Sequence, residues 1–301
     1  MRIAVTGSSG LIGGALCAAL NTAGHQVVRV VRHTPLAGEI GWDPDAGTVD
    51  SSGFDGVDAV VHLAGAGIAD ERWTDERKRQ ILESRTDGTD LLSRTLAGLD
   101  RRPAVLLSGS AIGYYGDRGD EVLTEESEPG DGFLSRVCQA WEAATAPAED
   151  AGIRTCHLRT GIVQSADGGA LAKTLLPFKL GIGGRLGSGQ QWWSWISIDD
   201  QVRAIMHLLG ADVSGAVNLT APVPVRNIEF TKALGRELAR PTVLPIPSIG
   251  PRLLLGKELA QILLYESQRV APTVLEHSGY AFRHRTIDDC FASVLGDTEL
   301  A

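Results

Sequence analysis

The sequence predicts an α/β protein built on a doubly wound parallel sheet, with a smaller C-terminal α/β region beside it. Three observations predict it. Short β-branched runs alternate with helix-patterned ones from residue 2 to about 160. The first run leads straight into glycines that open a helix. A length of 301 residues, at about 150 per domain, leaves room for a second unit. In order, RIAVT (2–6) is the first strand, and the alanine- and leucine-rich 11–24, ending in Gly24, is the first helix. QVVRVV (26–31) and DAVVHLA (58–64) are buried-type strands. A charged helix runs from about Thr74 to Leu96, and AVLLSGS (104–110) is the next strand. Residues 133–151 carry Leu134, Val137, Cys138, Trp141 and Ala148 on one helical stripe, and IRTCHLR (153–159) closes the series. Strands separated by helices make parallel βαβ units with both sheet faces covered. The first domain is therefore set at 1–165.

After residue 165 the character changes. The stretch 168–195 holds seven glycines and Trp192, Trp193 and Trp195, three of the six tryptophans. A helix follows with Asp199 at its start and Val202, Ile205, Met206 and Leu209 on one face. Pro241, Pro245, Pro247 and Pro251 punctuate the next segment. The second unit is set at 166–301, a cap from which segments at about 196–220 return to the sheet.

Composition excludes several classes. Hydrophobic residues at 43% and charged residues at 22% are ordinary for a globular chain with a real core. Against 37 acids stand 28 Lys and Arg, a formal charge of -9, which disfavours a nucleic-acid surface. No run approaches the 18 or so apolar residues of a membrane span, and the N-terminus lacks the basic start of a signal peptide. The scattered Cys17, Cys138, Cys156 and Cys290 form no CxxC pair, and the histidines have no ligand spacing. Reduced core cysteines and a cytoplasmic protein are expected, with a small-molecule substrate, no nucleic-acid or membrane partner, and a monomeric or homodimeric state.

TGSSGLIGG places Gly7, Gly10 and Gly13 at a three-residue period between strand and helix. Glycines let a pyrophosphate approach backbone N–H groups, here those around Ser9, Leu11 and Ile12, at the positive end of the helix. A dinucleotide on a Rossmann-type sheet is the expected ligand. At the end of the second strand an acidic residue accepts from the NAD ribose, whereas an arginine accommodates the NADP 2′-phosphate. This chain has Arg32 there, with Arg29 nearby and no carboxylate. NADP(H) is the expected cofactor.

TGSSGLIG, HLAGAG (62–67) and LLSGSAIGYYGD (106–117) together resemble the extended short-chain dehydrogenases/reductases, the superfamily of sugar-nucleotide epimerases and dehydratases. WEAA (141–144), LRTGIV (158–163), the run 175–196 and NLTAPVPVRNIEF (218–230) are similar to an atypical branch of epimerase family proteins. That branch carries a C-terminal domain of unknown function, matched at about 249–296. The resemblance implies that Leu63, Ala64, Gly65 and Ser108 line the cofactor, and that Thr160, Gly161 and Ile162 pass the nicotinamide. It implies that Ser110 is the catalytic Ser/Thr, hydrogen-bonding a substrate carbonyl or alcohol.

Two departures follow from the same match. The family's acid/base pair is Tyr-x-x-x-Lys, in which the lysine lowers the phenol pKa. Counted back from Glu142, those places hold Leu134 and Cys138. Arg85 stands where relatives often carry an asparagine, and is read as a cofactor or anion contact. Tyr114 and Tyr115 are candidate replacements for the lost phenol, and His62 is the one histidine placed to matter. Arg185, Trp192 and Trp193 are the expected substrate wall. The chemistry implied is an oxidoreductase or epimerase acting on a small or nucleotide-linked substrate. The competing reading is an NADP(H)-binding sensor or interaction protein that has lost the acid/base machinery.

Overall fold

The computed structural model describes residues 1–296 of the chain; residues 297–301, the end of the expected second unit, lie outside the described residues. The first half runs β1 (Arg2–Thr6), α1 (Leu11–Thr22), β2 (Gln26–Val31), β3 (Ile40–Asp43), β4 (Thr48–Val49), β5 (Ala59–His62), α2 (Asp75–Ala97), β6 (Val105–Ala111), β7 (Val122–Leu123), α3 (Phe133–Ala143), α4 (Ala146–Asp150) and β8 (Arg154–Thr160). The second continues with β9 (Ile162–Gln164), α5 (Gly169–Lys179), β10 (Trp192–Trp193), β11 (Trp195–Ser197), α6 (Ile198–Gly210), β12 (Gly215–Leu219), β13 (Val225–Arg226) and α7 (Asn227–Glu237). It ends in α8 (Ile249–Leu255), α9 (Lys257–Ala260), β14 (Arg269–Val270), α10 (Thr273–His277) and α11 (Ile287–Gly296).

Eight strands form the main sheet in the order β12-β8-β6-β5-β1-β2-β3-β4. All neighbours are parallel except β3 and β4. Alternate residues of each strand feed opposite cores, which is why the strands read as unbroken apolar runs. Ile3, Val5, Val61 and Leu107 pack under Leu16 and Leu20 of α1 and Ile205 and Leu208 of α6. Ala4, Val60 and Leu106 pack on the other side, against Leu92 and Leu96 of α2 and Trp42. A third core joins Leu171, Phe178, Trp195, Phe230 and Phe291 in the C-terminal region. All four cysteines are buried thiols. Among the described residues no helix is long and apolar enough to cross a membrane.

The predicted elements are present with local differences. The single helix expected over 133–151 is two, because the chain breaks at Ala144 and Thr145 and Pro147 starts the second. β3 and β4 were not expected from the sequence. Helix α6 is capped by Ser197, whose hydroxyl accepts from Asp200 N at 3.1 Å, and Asp199 sits inside the first turn. The cap is mainly helical, its strands being only two or three residues long, and of the expected returning segment only β12 joins the main sheet.

The strand order runs outward in both directions from β1 and β5. A ligand crevice in such sheets opens beyond the carboxyl ends of the strands, where the order reverses. The loops after β1 and β5, residues 7–10 and 63–66, meet at that point.

Candidate functional site

The glycine turn is built by contact with the neighbouring loop. Gly7 has φ +64°, and a Cβ on it would lie 2.7 Å from the Leu63 carbonyl. At Gly13 a Cβ would run into the Gly7 carbonyl oxygen, so α1 can pack this closely only on a glycine. Gly10 is the N-cap of α1 and brings no capping side chain, and no acidic residue stands in the first turn. Helix α1 therefore directs uncapped N–H groups and its positive end at the crevice. Arg32, just past β2, is exposed and makes no side-chain hydrogen bond or ion pair among the described residues.

Thr6 holds the second loop in place. Its Oγ1 accepts from Leu63 N at 3.1 Å and Ala64 N at 3.2 Å. The Thr6 proton then goes to His62 Nδ1 at 2.7 Å, which leaves His62 Nε2–H to donate to Thr89 Oγ1 at 2.9 Å. His62 is fully buried and its pKa is lowered to about 4 by burial. It positions the loop and does not reach the crevice.

This gives a pH prediction. Unfolded, the imidazole titrates near 6.5; folded, it stays neutral down to about 4. The unfolded state therefore binds the extra proton between these values, so the stabilisation is complete above pH 6.5 and falls as pH drops toward 4. The loss attributable to this residue is about 3 kcal/mol across that window. Denaturant unfolding of the wild type and His62→Gln at pH 7 and pH 4.5 checks it. The variant is expected to show the shallower pH dependence, and equal slopes would refute the assignment.

Ser110, near the end of β6, is 4% exposed, and its hydroxyl donates to Glu142 Oε1 at 2.7 Å. Arg159 of β8 grips the same carboxylate through Nε to Oε1 and Nη2 to Oε2, both at 2.8 Å. The register Ser110↔Arg159 brings strand and strand together, and Glu142 lies one helical turn beyond Cys138 on α3. Burial opposes the Arg159 charge, but hydrogen bonding to and attraction by Glu142 hold its pKa above the ordinary value. Because an ionised carboxylate only accepts, the Ser110 proton is committed and its lone pairs are what remain for a substrate.

Of the two expected replacements for the missing phenol, Tyr115 is corrected here. Tyr115 is fully buried, donating to Asn218 Oδ1 at 2.7 Å and accepting from Arg159 Nη1 at 3.0 Å. Burial pushes its pKa up to about 12, so it is a structural strut and no acid or base. Tyr114 is half-buried, with the Arg159 guanidinium 3.4 Å from its ring centroid. Cys138 occupies the lysine position, and burial, with Glu142 adding, pushes its thiol up to about 11. Leu134 borders it, close under Gly113.

Arg85 lies beside Gly65, donating from Nη1 to the Ala66 and Ile81 carbonyls at 3.0 Å, with its guanidinium 4.9 Å from the Trp141 ring centroid. Trp141 lies three residues after Cys138 on α3, so Arg85 is a cation near the vacated lysine place. Ser108 is fully buried with its Oγ unpartnered, on the strand between His62 and His157. Thr160 ends β8 and accepts from Gln201 Nε2 at 3.3 Å. Gly161 N donates to the Leu219 carbonyl and Ile162 N to that of Ser194, fixing the turn between β8 and β9.

The expected substrate wall does not assemble as one surface. Trp193 packs edge-on against Phe230 in the C-terminal core. Trp192 faces the other way, between the guanidinium groups of Arg226 and Arg269, each 4.6 Å from the ring centroid. It borders a cavity of about 670 Å³ with Val223, Lys232 and Ile287, which includes none of the residues around Ser110. Arg185 turns back on its own loop, Nη1 donating to the Gly187 carbonyl at 2.5 Å. Successive strand residues point to opposite sides, so adjacent tryptophans could not share a wall.

Glu142 and Arg159 are the residues whose role the sequence reading missed. An arginine among apolar residues in a central strand, and a glutamate four residues after the lysine position, are the signals that carried it.

Residues 3–220 match the NAD dependent epimerase/dehydratase family, and residues 246–294 a domain of unknown function, DUF1731. An epimerase family protein of Mycobacterium tuberculosis is 45% identical over 289 residues, 95% of each chain. The human epimerase family protein SDR39U1 is 36% identical over 286 residues, covering 94% of this chain and 95% of that one. The crystal structure of the human protein (isoform 2) with NADPH superposes with a TM-score of 0.90 at 33% identity, over 99% of this chain and 100% of that one. A structure of MoeE5 in complex with UDP-glucose and NAD, at 20% identity, covers 99% of both chains with a TM-score of 0.77 and shares the fold. With its glycine turn, its sheet order and these matches, the chain belongs to the NAD dependent epimerase/dehydratase family and carries that family's sheet joined to a C-terminal DUF1731 domain.

Proposed function

We propose that this protein binds NADP(H) and acts as an oxidoreductase or epimerase-type enzyme on a small or nucleotide-linked substrate. The observation that carries the cofactor reading is the cradle at the switch point. Gly7 and Gly13 admit no Cβ, the α1 N-terminus is uncapped, and Arg32 stands free where a 2′-phosphate would be recognised. The bound NADPH of the human relative supports the same reading. Bound NADP(H) supplies or takes up a hydride. Leu63, Ala64 and Gly65 would hold it from the β5 side, and Thr160 to Ile162 from the β8 side. Arg85 supplies positive charge close to the place the family lysine would occupy, and Ser110 offers acceptor lone pairs that favour a hydroxyl donor on the substrate.

A second reading has its own observation. Leu134 and Cys138 leave the usual acid/base places without a proton-transferring phenol or ammonium, and Tyr115 is locked away. This favours a sensor or interaction protein that keeps the cofactor and has lost the chemistry.

Titration of nicotinamide fluorescence with NADPH and with NADH tests the cofactor reading. NADPH is expected to bind at least about tenfold tighter, since one charge-assisted contact contributes roughly 1.5–3 kcal/mol. Arg32→Ala is expected to remove that preference while leaving NADH binding unchanged. Equal affinities in the wild type would refute the role of Arg32. Turnover with candidate alcohols and carbonyls, abolished by Ser110→Ala, separates the enzyme from the sensor.

A further inference from the structure

Among the described residues, eight of the twelve strongly exposed large hydrophobic side chains come from two stretches of chain, 176–182 and 243–254. Leu176, Leu180 and Ile182 come from the end of α5 and the turn after it. Val243 and Leu244 follow α7, and Ile249, Leu253 and Leu254 project from α8, which buries none of its residues. Their exposures run from 65% to 85%, so most of each side chain is left open to solvent.

The two segments are neighbours. Arg240 Nε donates to the Lys179 carbonyl at 2.8 Å, and Ile246 N to the Arg185 carbonyl at 2.9 Å. Residues 184 and 244 are in backbone contact, and Leu186 pairs with Ile246 as an isolated parallel bridge.

Charge along the two segments themselves is as one-sided as their hydropathy; beside α8 stand Arg72, which donates to the Leu253 and Leu254 carbonyls, and Glu258, which pairs with Lys78. No Asp or Glu occurs from 168 to 198 or from 238 to 257, in a chain with 37 acids and a formal charge of -9. The same segments carry Lys173, Lys179, Arg185, Arg240, Arg252 and Lys257. Among the described residues none of the six lies within ion-pair distance of a carboxylate, although the chain's other cations form many such pairs.

We infer that this face docks on an anionic lipid bilayer surface. Aliphatic side chains rimmed by unpaired lysine and arginine are the composition that seats an element at a headgroup boundary. Two copies would oppose six cations to six cations across the contact, which disfavours self-association through this face. The exposed apolar groups are leucine, isoleucine and valine and include no aromatic anchor of the kind that dominates protein interfaces. The inference goes beyond the proposed cofactor function and revises the expectation of no membrane partner, which rested on the absence of a spanning segment.

The test is co-sedimentation of the full chain with vesicles of phosphatidylcholine alone and of phosphatidylcholine with 30% phosphatidylglycerol (about that fraction gives a strongly anionic surface). Binding is expected only to the anionic vesicles and is expected to be lost in high salt. Lys179→Glu is expected to weaken it about fivefold or more. Leu253→Asp with Leu254→Asp is expected to abolish it, and both positions are exposed, so unchanged circular dichroism and NADPH binding verify the fold. Absence of binding to anionic vesicles, or binding that survives both variants, overturns the inference. So does a dimer in light scattering that these leucine substitutions dissociate, since a second copy would then cover the face.

Discussion

Replacing Arg159 with alanine is expected to destabilise the protein by about 3–5 kcal/mol, measured by urea unfolding at pH 7. The arginine and its partner Glu142 are only 5% and 11% exposed, so removing one leaves an uncompensated charge in the interior. The loss spreads further, because Arg159 also donates to Tyr115 and to the Glu125 carbonyl and covers the Tyr114 ring. The cost is chiefly that of stranding Glu142, which distinguishes it from a lost attraction. The double variant Glu142→Leu with Arg159→Met is therefore expected to recover most of the stability, with a coupling of at least about 2 kcal/mol between the sites. An Arg159→Ala loss under about 1 kcal/mol, or simple additivity in the double variant, would refute the buried-pair account. A pair this costly to bury needs a structural reason. It fixes the direction of the Ser110 hydrogen bond, turning a hydroxyl that could donate or accept into one with only lone pairs to offer.

That arrangement also marks the limit of what the sequence could disclose. The glycine turn was legible because its cause is local: a strand, three glycines and the start of a helix lie within the first thirteen residues, and Gly7 and Gly13 answer to a close backbone approach. The position of Arg32, directly after a recognisable strand, could be read for the same reason. Glu142 and Arg159 owe their meeting to the pairing of β6 with β8 and to the face that α3 lays against them, which no local spacing encodes. Adjacent Tyr114 and Tyr115 looked like equivalent candidates for the cleft. The short helical turn at 112–115 sends one under Arg159 and the other into the interior, where Asn218 waits across 103 residues of sequence. Trp192 and Trp193 failed as a common wall because β10 alternates its side chains, a rule visible only once that two-residue strand is known. The C-terminal leucines read as a helical segment, and only the structure reveals that α8 covers none of them.

The second large effect is expected at Asp200, which ties the DUF1731 domain to the sheet domain. Its carboxylate is 1% exposed and meets donors from two distant parts of the chain. Tyr280 donates to Oδ1 at 2.7 Å and Arg283 N to the same oxygen at 2.9 Å. His284 N donates to Oδ2 at 2.8 Å, and Ser197 Oγ reaches Oδ2 at 3.3 Å while standing 2.9 Å from His284 Nδ1. Serine, histidine and aspartate are thus together, but all three are buried and committed, so the cluster is a clamp and not a nucleophilic site. Asp200→Ala would strip the Arg283 and His284 backbone N–H groups of their acceptor, each a cost of about 1–3 kcal/mol, and would leave the Tyr280 phenol only the residue-200 backbone carbonyl at 3.1 Å. A total of about 3–5 kcal/mol is expected, allowing for partial relaxation. Asp200→Asn keeps the shape and one acceptor but turns an amide N–H₂ toward donors, so an intermediate loss is expected. Because the clamp holds residues 280–284 against the start of α6, limited proteolysis of Asp200→Ala is expected to cut first within the C-terminal domain. NADPH affinity of the uncut protein should stay within about twofold, since Asp200 touches none of the residues that frame the glycine turn. A loss of stability below about 1 kcal/mol, or first cleavage within the sheet domain, would show that this carboxylate does not carry the junction.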